Sequence, residues 1–447
     1  MKKVFNEKMM PAIMTFVNSK GIRALKDGLL FSMPLLIVGT IFLLLANIPI
    51  PSIAETVTSS GLADILTQAY SATFNLMALV AVMGITHTYV KNEGYESFGA
   101  AIISLACFIL LQPSTVTNEQ GELVNVIFKD WTSGKGMVCA IIVGLLVGVG
   151  YCFLMKRDIR IKMPAGVPEG VSNSFAALIP AGIMVGLSAI VYGIFKLAFN
   201  TTFVEWIYRV LQTPLQGLTD SFAGAIIIAG LVPFLWFFGI HGATIVYGVV
   251  LPLLTANSLA NQEILDAGKA LTLENGGHIV TQQFWDQCLT ISGSGITLGL
   301  VLYFVFFAKS VQYKELGKLG FFPSIFNVNE PILFGTPVVL NPILGIPFIL
   351  MPILSSIIQY VALYTGICPL YGGIIVPWTT PPIISGFLVG GWRTALLQLF
   401  ILGLSFIVYF PFARKLDAIS YQEEQKESKN TEESSLVSGE IGVEDGI

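Results

Sequence analysis

Apolar stretches about as long as a bilayer core is thick recur along the whole of this chain, and no other property restricts its possible folds so severely. They run at about 28–50, 72–90, 136–155, 176–198, 288–308 and 393–412, with shorter or interrupted stretches at 97–112 and 371–390 and overlong ones at 222–255 and 331–362. A helix needs roughly 20 apolar residues to cross hydrocarbon, because every backbone N–H and C=O must be satisfied within the segment. The pattern therefore predicts an all-α, polytopic helical membrane protein with about ten transmembrane helices. A β-barrel does not fit, since its strands would alternate in polarity and these stretches are uniformly apolar. Composition agrees: 12% of the 447 residues are charged, about half the share in a soluble domain.

The net charge is −4 and the basic residues cluster, which argues against a nucleic-acid partner and for the lipid bilayer. Lys2, Lys3, Lys8, Lys20, Arg23 and Lys26 precede the first stretch, and Lys156, Arg157, Arg160 and Lys162 follow the fourth, so both groups are expected in the cytoplasm. Residues 51–71 contain no Lys or Arg, as suits an external loop, and Arg414 with Lys415 places the C-terminus inside with the N-terminus. Between 222 and 320 simple alternation fails, because Lys309, Lys314 and Lys318 have cytoplasmic character yet would fall outside. A re-entrant segment between 256 and 295 restores the parity. The first stretch is too long for a signal-peptide core and is followed by many more, so it is expected to be retained. Cys107, Cys139, Cys152, Cys288 and Cys368 stand singly and read as small buried hydrophobes, with neither a metal site nor a cofactor implied.

Four regions follow. Residues 1–27, where basic residues alternate with Val4, Phe5, Met9, Ile13 and Phe16, suggest an interfacial amphipathic segment on the cytoplasmic side. Residues 28–198 form a first membrane half of ordinary spans, and 199–412 a second half, with a basic, Pro-broken linker at 156–175 near the junction. The second half concentrates Gly, Pro, polar pairs and two His residues, as a binding half built from discontinuous helices would. Residues 413–447 are acidic and poor in apolar groups, and are expected to be a disordered tail. With no soluble catalytic domain expected at either end, any energy source would be a gradient or a separate protein. No strong internal repeat is visible.

Chemistry concentrates in Phe326 to Gly335, FNVNEPILFG, where Glu330 and two carboxamides, Asn327 and Asn329, interrupt an apolar region. A carboxylate at bilayer depth costs roughly 2.5–3.5 kcal/mol even on the lenient insertion scale, so it must face a wet cavity, a partner or a ligand. Pro331 disfavours helical backbone at Glu330, which places that residue at a break. The alternative is a plain helix-breaking turn with Glu330 paired to a buried cation or a backbone donor. In FLWFFGIHGATIVYG, His241 lies between Gly239 and Gly242, either as a structural histidine or as a contact to a substrate hydroxyl or a proton acceptor. Trp236 lies near it, as a core or interfacial aromatic or a platform. In FWDQCLTISGSGITLG, the Ser292–Gly295 cluster serves either close helix packing or a re-entrant binding loop. It lacks the spacing and the Lys of a phosphate-binding loop. In VPWTTPPIISG, Trp378 with Thr379 and Thr380 offers an indole face and hydroxyls suited to a sugar, or else an interfacial tryptophan beside a loop. His87 and His278 receive no role.

Taken together, GIHG at 239–242, ISGSGITLG at 291–299 and FNVNEPILFG at 326–335 resemble the membrane-embedded IIC component of the bacterial sugar phosphotransferase system, in its lactose/cellobiose/N,N′-diacetylchitobiose branch. The similarity runs from about residue 1 to 415, and N-x-N-E-P is its most specific element. It implies a permease of ten spans with two re-entrant hairpins in the bacterial cell membrane, working as a homodimer whose first five spans build the interface. Such proteins carry a sugar inward and release its 6-phosphate; the phosphoryl group comes from a phosphocysteine on a cytoplasmic IIB protein, charged through IIA, HPr and enzyme I. By similarity Glu330 would bind the sugar's 6-hydroxyl, His241 would be a second contact beside it, and Trp236 and Trp378 would be aromatic contacts. Asn327 and Asn329, as orienting amides, and Thr379 would be further substrate-binding residues. An ion-coupled sugar transporter and a non-transporting membrane enzyme or scaffold are the competing readings.

Overall fold

The computed structural model describes residues 15, 19–46, 51–118, 120–164, 166–238, 242–336, 338 and 341–441. Most of the predicted amphipathic segment before Lys20, and His241, therefore lie outside the described residues. The principal helices are α1 (Lys20–Leu29), α2 (Met33–Ala46), α3 (Pro51–Ser59), α4 (Leu62–Phe74), α5 (Met77–Asn92), α6 (Phe98–Leu110), α7 (Met137–Lys156), α8 (Glu169–Ala198), α9 (Phe222–Phe237), α10 (Gly242–Asp266), α11 (Leu298–Phe306), α12 (Val311–Ile325), α13 (Glu330–Gly335), α14 (Pro342–Tyr364) and α15 (Ile384–Ile441). The all-helical expectation holds, apart from an exposed antiparallel hairpin of β1 (Thr115–Thr117) and β2 (Leu123–Asn125), with Val116 opposite Val124.

Five described segments are long and apolar enough to cross a membrane: Leu62–Asn92, Gly134–Lys156, Glu169–Ala198, Pro342–Tyr364 and Ile384–Lys426. A sixth arises if Phe203–Thr219 and Phe222–Phe237, bent by 72°, form one span. Other apolar stretches are divided among shorter helices. The 28–50 stretch is interrupted by a 3-10 turn at Leu30–Ser32. The 288–308 stretch keeps helical structure only at its ends, because Ser292, Gly293, Gly295 and Ile296 all adopt positive φ, which no right-handed helix accommodates.

The chain forms two compact units. The first comprises Met1–Gly224, Thr244–Gln283 and Leu370–Val376. Its core joins Ala78, Ala81, Val82 and Ile85 of α5 to Cys139, Ala140, Val143 and Val147 of α7. All five cysteines are free and buried, as small apolar residues should be. At one end of this bundle Glu93 pairs with Lys20 and Lys156, and their hydrogen bonds hold its carboxyl below the usual carboxylate range.

Within the same unit, α10 carries a buried polar stripe that grips two irregular segments. Asn257 donates to the Val280 carbonyl (2.8 Å), and Asn261 donates to the carbonyls of His278 (2.8 Å) and Tyr371 (2.7 Å). Ser258 donates to Gln283 (2.7 Å), and Gln262 accepts from Gly373 N–H (2.8 Å). Irregular backbone survives in a membrane protein only where side chains replace the missing helical partners, and four of these five bonds do so. His278 is held by Asp220 (2.9 Å), which also accepts from Ile279 N–H (2.8 Å) and Val280 N–H (2.6 Å), so its part is structural. His87 likewise meets Ser97 Oγ at 3.0 Å.

The second unit comprises Ala225–Ala243, Phe284–Pro369 and Pro377–Ile447. In it α11 packs against α12 and α15, and α14 against α15. The last element, α15, is two helices that meet at a kink where Gly390 and Gly391 (φ 71°) leave helical geometry, and the chain beyond 413, expected as a solvated tail, instead continues the second of them to Ile441. Two of its acids supply what the first turn of α12 lacks. Buried Asp417 accepts from Lys309 N–H (2.9 Å), Ser310 N–H (3.0 Å) and Ser310 Oγ (2.7 Å), while Glu424 accepts from Val311 N–H (2.9 Å) and Gln312 N–H (3.0 Å). A helix N-terminus has four unpaired N–H groups and a partial positive charge, so carboxylates that look merely hydrophilic in the sequence find a fixed position there.

Candidate functional site

The N-x-N-E-P segment is a junction between two helices, and each of its asparagines has a defined part in it. Helix α12 ends with Asn327 N–H donating to the Ser324 carbonyl (3.2 Å) and Val328 N–H to the Pro323 carbonyl (3.0 Å). That pair of bonds is a Schellman cap, which needs a left-handed residue at the position Asn327 occupies, and its φ is 64°. Asn tolerates this conformation better than other side-chain-bearing residues. Asn329 then stands as N-cap of α13, with Pro331 in the first turn, where a missing N–H costs nothing.

Both carboxamides also reach across to neighbouring segments. Asn327 Oδ1 accepts from Ser292 N–H (2.6 Å), and its Nδ2 donates to the carbonyls of Trp378 (2.6 Å) and Thr380 (3.0 Å). Asn329 Nδ2 donates to the Ser294 carbonyl (2.7 Å) and Thr297 Oγ1 (2.8 Å). Three motifs, spread along the sequence from Ser292 to Thr380, thus meet at two side chains. The turn reading of the asparagines and their orienting part are compatible: the same amides that close the helix break also position the loops around it.

The Ser292–Gly295 cluster is a buried, irregular loop, neither a packed helix nor an open cradle of N–H groups. Its polar backbone is engaged by protein. Tyr409 donates to the Gly295 carbonyl (2.8 Å), Ser355 to Cys288 (2.6 Å), and Ser405 accepts from Gly299 N–H (3.0 Å). Glycine is required twice over: besides positive φ, a Cβ on Gly293 would lie 2.2 Å from Asn329 Cγ, and one on Gly295 2.2 Å from the Phe348 ring. The loop is a rigid support for its neighbours.

Against this support the remaining residues separate. Glu330 opens α13 on an exposed face, with no hydrogen bond or ion pair to another described residue. Ile332 and Leu333 of the same helix are buried and anchor it. Trp378 is 53% exposed, and Thr379 beside it is exposed too, although the backbone under both is pinned by Asn327. Trp236 differs: it is buried in α9 and meets Phe334 of α13 edge to face, with ring centroids 6.2 Å apart. Phe334 stands four residues after Glu330, one turn along α13, so the structure brings Trp236 to the helix that carries Glu330. Asn327, Asn329, Glu330, Trp236, Trp378 and Thr379 all belong to the second unit.

Sequence reasoning missed Gln398. It lies in the apolar 393–412 stretch and is fully buried, yet its carboxamide bonds to Gln287, Ile383, Ser385 and Gly386. The available signal was its polarity in an otherwise apolar span, which by itself calls for a partner.

Comparison with known proteins gives the chain a family. The family described as Phosphotransferase system, EIIC, matches residues 26–352. The Lichenan permease IIC component of Bacillus subtilis (strain 168) is 36% identical over 94% of this chain and 95% of its own length. The PTS system lactose-specific EIICB component of Lacticaseibacillus casei is 31% identical over 98% of this chain and 74% of its own length. The crystal structure of the transporter ChbC, the IIC component from the N,N′-diacetylchitobiose-specific phosphotransferase system, superposes with a TM-score of 0.89 at 36% identity, covering 94% of this chain and 99% of that one. On these grounds the chain belongs to the EIIC family, the membrane permease components of sugar phosphotransferase systems.

Proposed function

We propose that this permease carries a β-linked disaccharide, such as cellobiose, N,N′-diacetylchitobiose or lactose, inward across the bacterial cell membrane and presents its C6 hydroxyl to a cytoplasmic phospho-IIB protein. The observation that carries this reading is the division of labour in N-x-N-E-P: both asparagines are committed to the protein, while Glu330 keeps an exposed carboxylate without a described partner. Relatives named for lichenan, diacetylchitobiose and lactose support the substrate class. The lactose EIICB relative, in which IIB shares a chain with IIC, supports IIB as the donor here.

In this reading Glu330 accepts a hydrogen bond from the primary hydroxyl and aligns its oxygen with the phosphorus. The sugar O–P bond forms as the phosphocysteine S–P bond breaks; the hydroxyl proton passes to Glu330 or His241, and the IIB cysteine leaves as thiolate. Such a transfer asks little covalent chemistry of the membrane subunit, which must hold the hydroxyl in line and exclude water. This chain thus acts as the acceptor-binding subunit of the phosphotransferase and carries no phosphorylated residue itself; IIA, HPr and enzyme I recharge IIB. Trp378 stacks on a sugar ring with Thr379 bonding a hydroxyl, Trp236 braces α13, and Asn327 and Asn329 hold the loops. The first membrane half, 28–198, forms the homodimer interface, and both termini face the cytoplasm.

Sealed vesicles carrying the chain and loaded with phospho-IIB test the proposal. They are expected to accumulate the 6-phosphate of an added β-disaccharide, at a rate that an uncoupler does not change. Accumulation of unmodified sugar that collapses with the uncoupler would establish the ion-coupled mechanism instead.

A further inference from the structure

We infer that Gln398 is a positioning residue for sugar binding: from beyond the Gly390–Gly391 kink of α15 it fixes residues 383–386, the chain that follows Trp378. The inference rests on the reading of Trp378 as a sugar contact. Gln398 is fully buried. Its Oε1 accepts from Ile383 N–H (2.6 Å) and Gly386 N–H (3.0 Å). Its Nε2 lies 2.8 Å from the Gln287 carbonyl, 3.1 Å from Gln287 Oε1 and 3.2 Å from Ser385 Oγ. Both ends of the carboxamide are therefore engaged, as burial in an apolar helix demands.

Where those bonds go is the informative part. One end of the amide holds residues 383–386, and the other holds Gln287, where the irregular 290–297 loop begins. Ile383 is kept at φ 73°, a conformation that a β-branched residue adopts only when its surroundings impose it. The segment is also gripped farther back, where Asn327 Nδ2 binds the Trp378 and Thr380 carbonyls. Two turns accompany these anchors, with Thr380 N–H on the Pro377 carbonyl (2.9 Å) and Ser385 N–H on that of Pro381 (3.1 Å). Trp378 stands exposed where the first anchor holds its own carbonyl, and the second anchor fixes the chain that follows it, so the backbone that displays the indole is set before any sugar arrives. Preorganisation of this kind raises affinity without an added contact.

The test is a double-mutant cycle on the full-length purified chain, titrated with cellobiose and with diacetylchitobiose, using Gln398→Leu, Trp378→Ala and the pair. Each single variant is expected to raise Kd about tenfold, through one lost set of hydrogen bonds or one lost ring face. If Gln398 acts through Trp378, the pair binds little worse than Trp378→Ala alone, because the loop then orients nothing. In the phospho-IIB assay Gln398→Leu is expected to raise KM with kcat retained, the sign of lost ground-state binding. Should Trp378→Ala weaken binding while Gln398→Leu binds like the parent, or should the two losses multiply, the positioning role is overturned and the sugar site stands. Parent-like affinity in Trp378→Ala would overturn the reading of that residue, and this inference with it. If Gln398→Leu does not fold, Gly386→Ala replaces it, since its Cβ would lie 2.4 Å from Gln398 Oε1 and displace the same contact; the same outcomes apply.

Discussion

Replacing Glu330 by Gln is expected to weaken disaccharide binding roughly 10- to 100-fold, the scale of a lost charge-assisted hydrogen bond, and to lower phosphorylation by IIB at least as much. The fold should be unaffected. Glu330 is exposed and makes no hydrogen bond or ion pair to another described residue, so nothing described in the protein depends on its charge. Gln preserves the shape and an acceptor oxygen but removes the negative charge and any capacity to take the hydroxyl proton. Binding by calorimetry, with thermal unfolding in the same detergent as control, separates the two effects. Unaltered affinity in a folded Glu330→Gln protein would remove this residue from the site.

The second large effect concerns Asn327 and falls on stability. Asn327→Ala deletes three hydrogen bonds at once and leaves Ser292 N–H buried without its acceptor. It also puts alanine into a backbone conformation with φ 64°. The lost bonds cost roughly 1–3 kcal/mol for each buried group left unsatisfied, and the left-handed backbone adds roughly 1–2 kcal/mol. Asn327→Gly removes the same bonds without the backbone term, so glycine is expected to be the milder replacement. Thermal unfolding of both variants checks the order. Equal stability of Asn327→Ala and the parent protein would mean that the segment is not held as described.

What could be read from the sequence followed from local rules. The 136–155 stretch is α7 to within a residue at each end, and 176–198 lies inside α8, because an uninterrupted apolar helix satisfies its own backbone and needs no distant partner. The break at N-x-N-E-P was visible in Pro331 and in the polar capacity of three neighbouring side chains. The membership of the site was legible as motifs; its geometry was not. Whether Ser292–Gly295 would pack as helix or loop depended on Asn327, Asn329 and Tyr409, which lie 35 to 114 residues away. Hydropathy merged that loop into a span for the same reason. Gln398 stayed unnoticed because one carboxamide barely changes the mean of an apolar window, although its bonds reach 111 residues back to Gln287. The acidic chain after 413 looked like a solvated tail because the two carboxylates that cap α12 cannot be told from other surface acids without the helix they meet. His241, the residue expected beside the sugar hydroxyl, lies outside the described residues, and its part remains a proposal.

The most direct measurement compares a β-disaccharide with its 6-deoxy analogue on the parent protein and on Glu330→Gln. The parent is expected to prefer the hydroxylated sugar roughly 10- to 100-fold, because a charged acceptor left without its hydroxyl is costly, and Glu330→Gln is expected to lose most of that preference. An undiminished preference in Glu330→Gln would show that another group holds the hydroxyl, and would contradict the account.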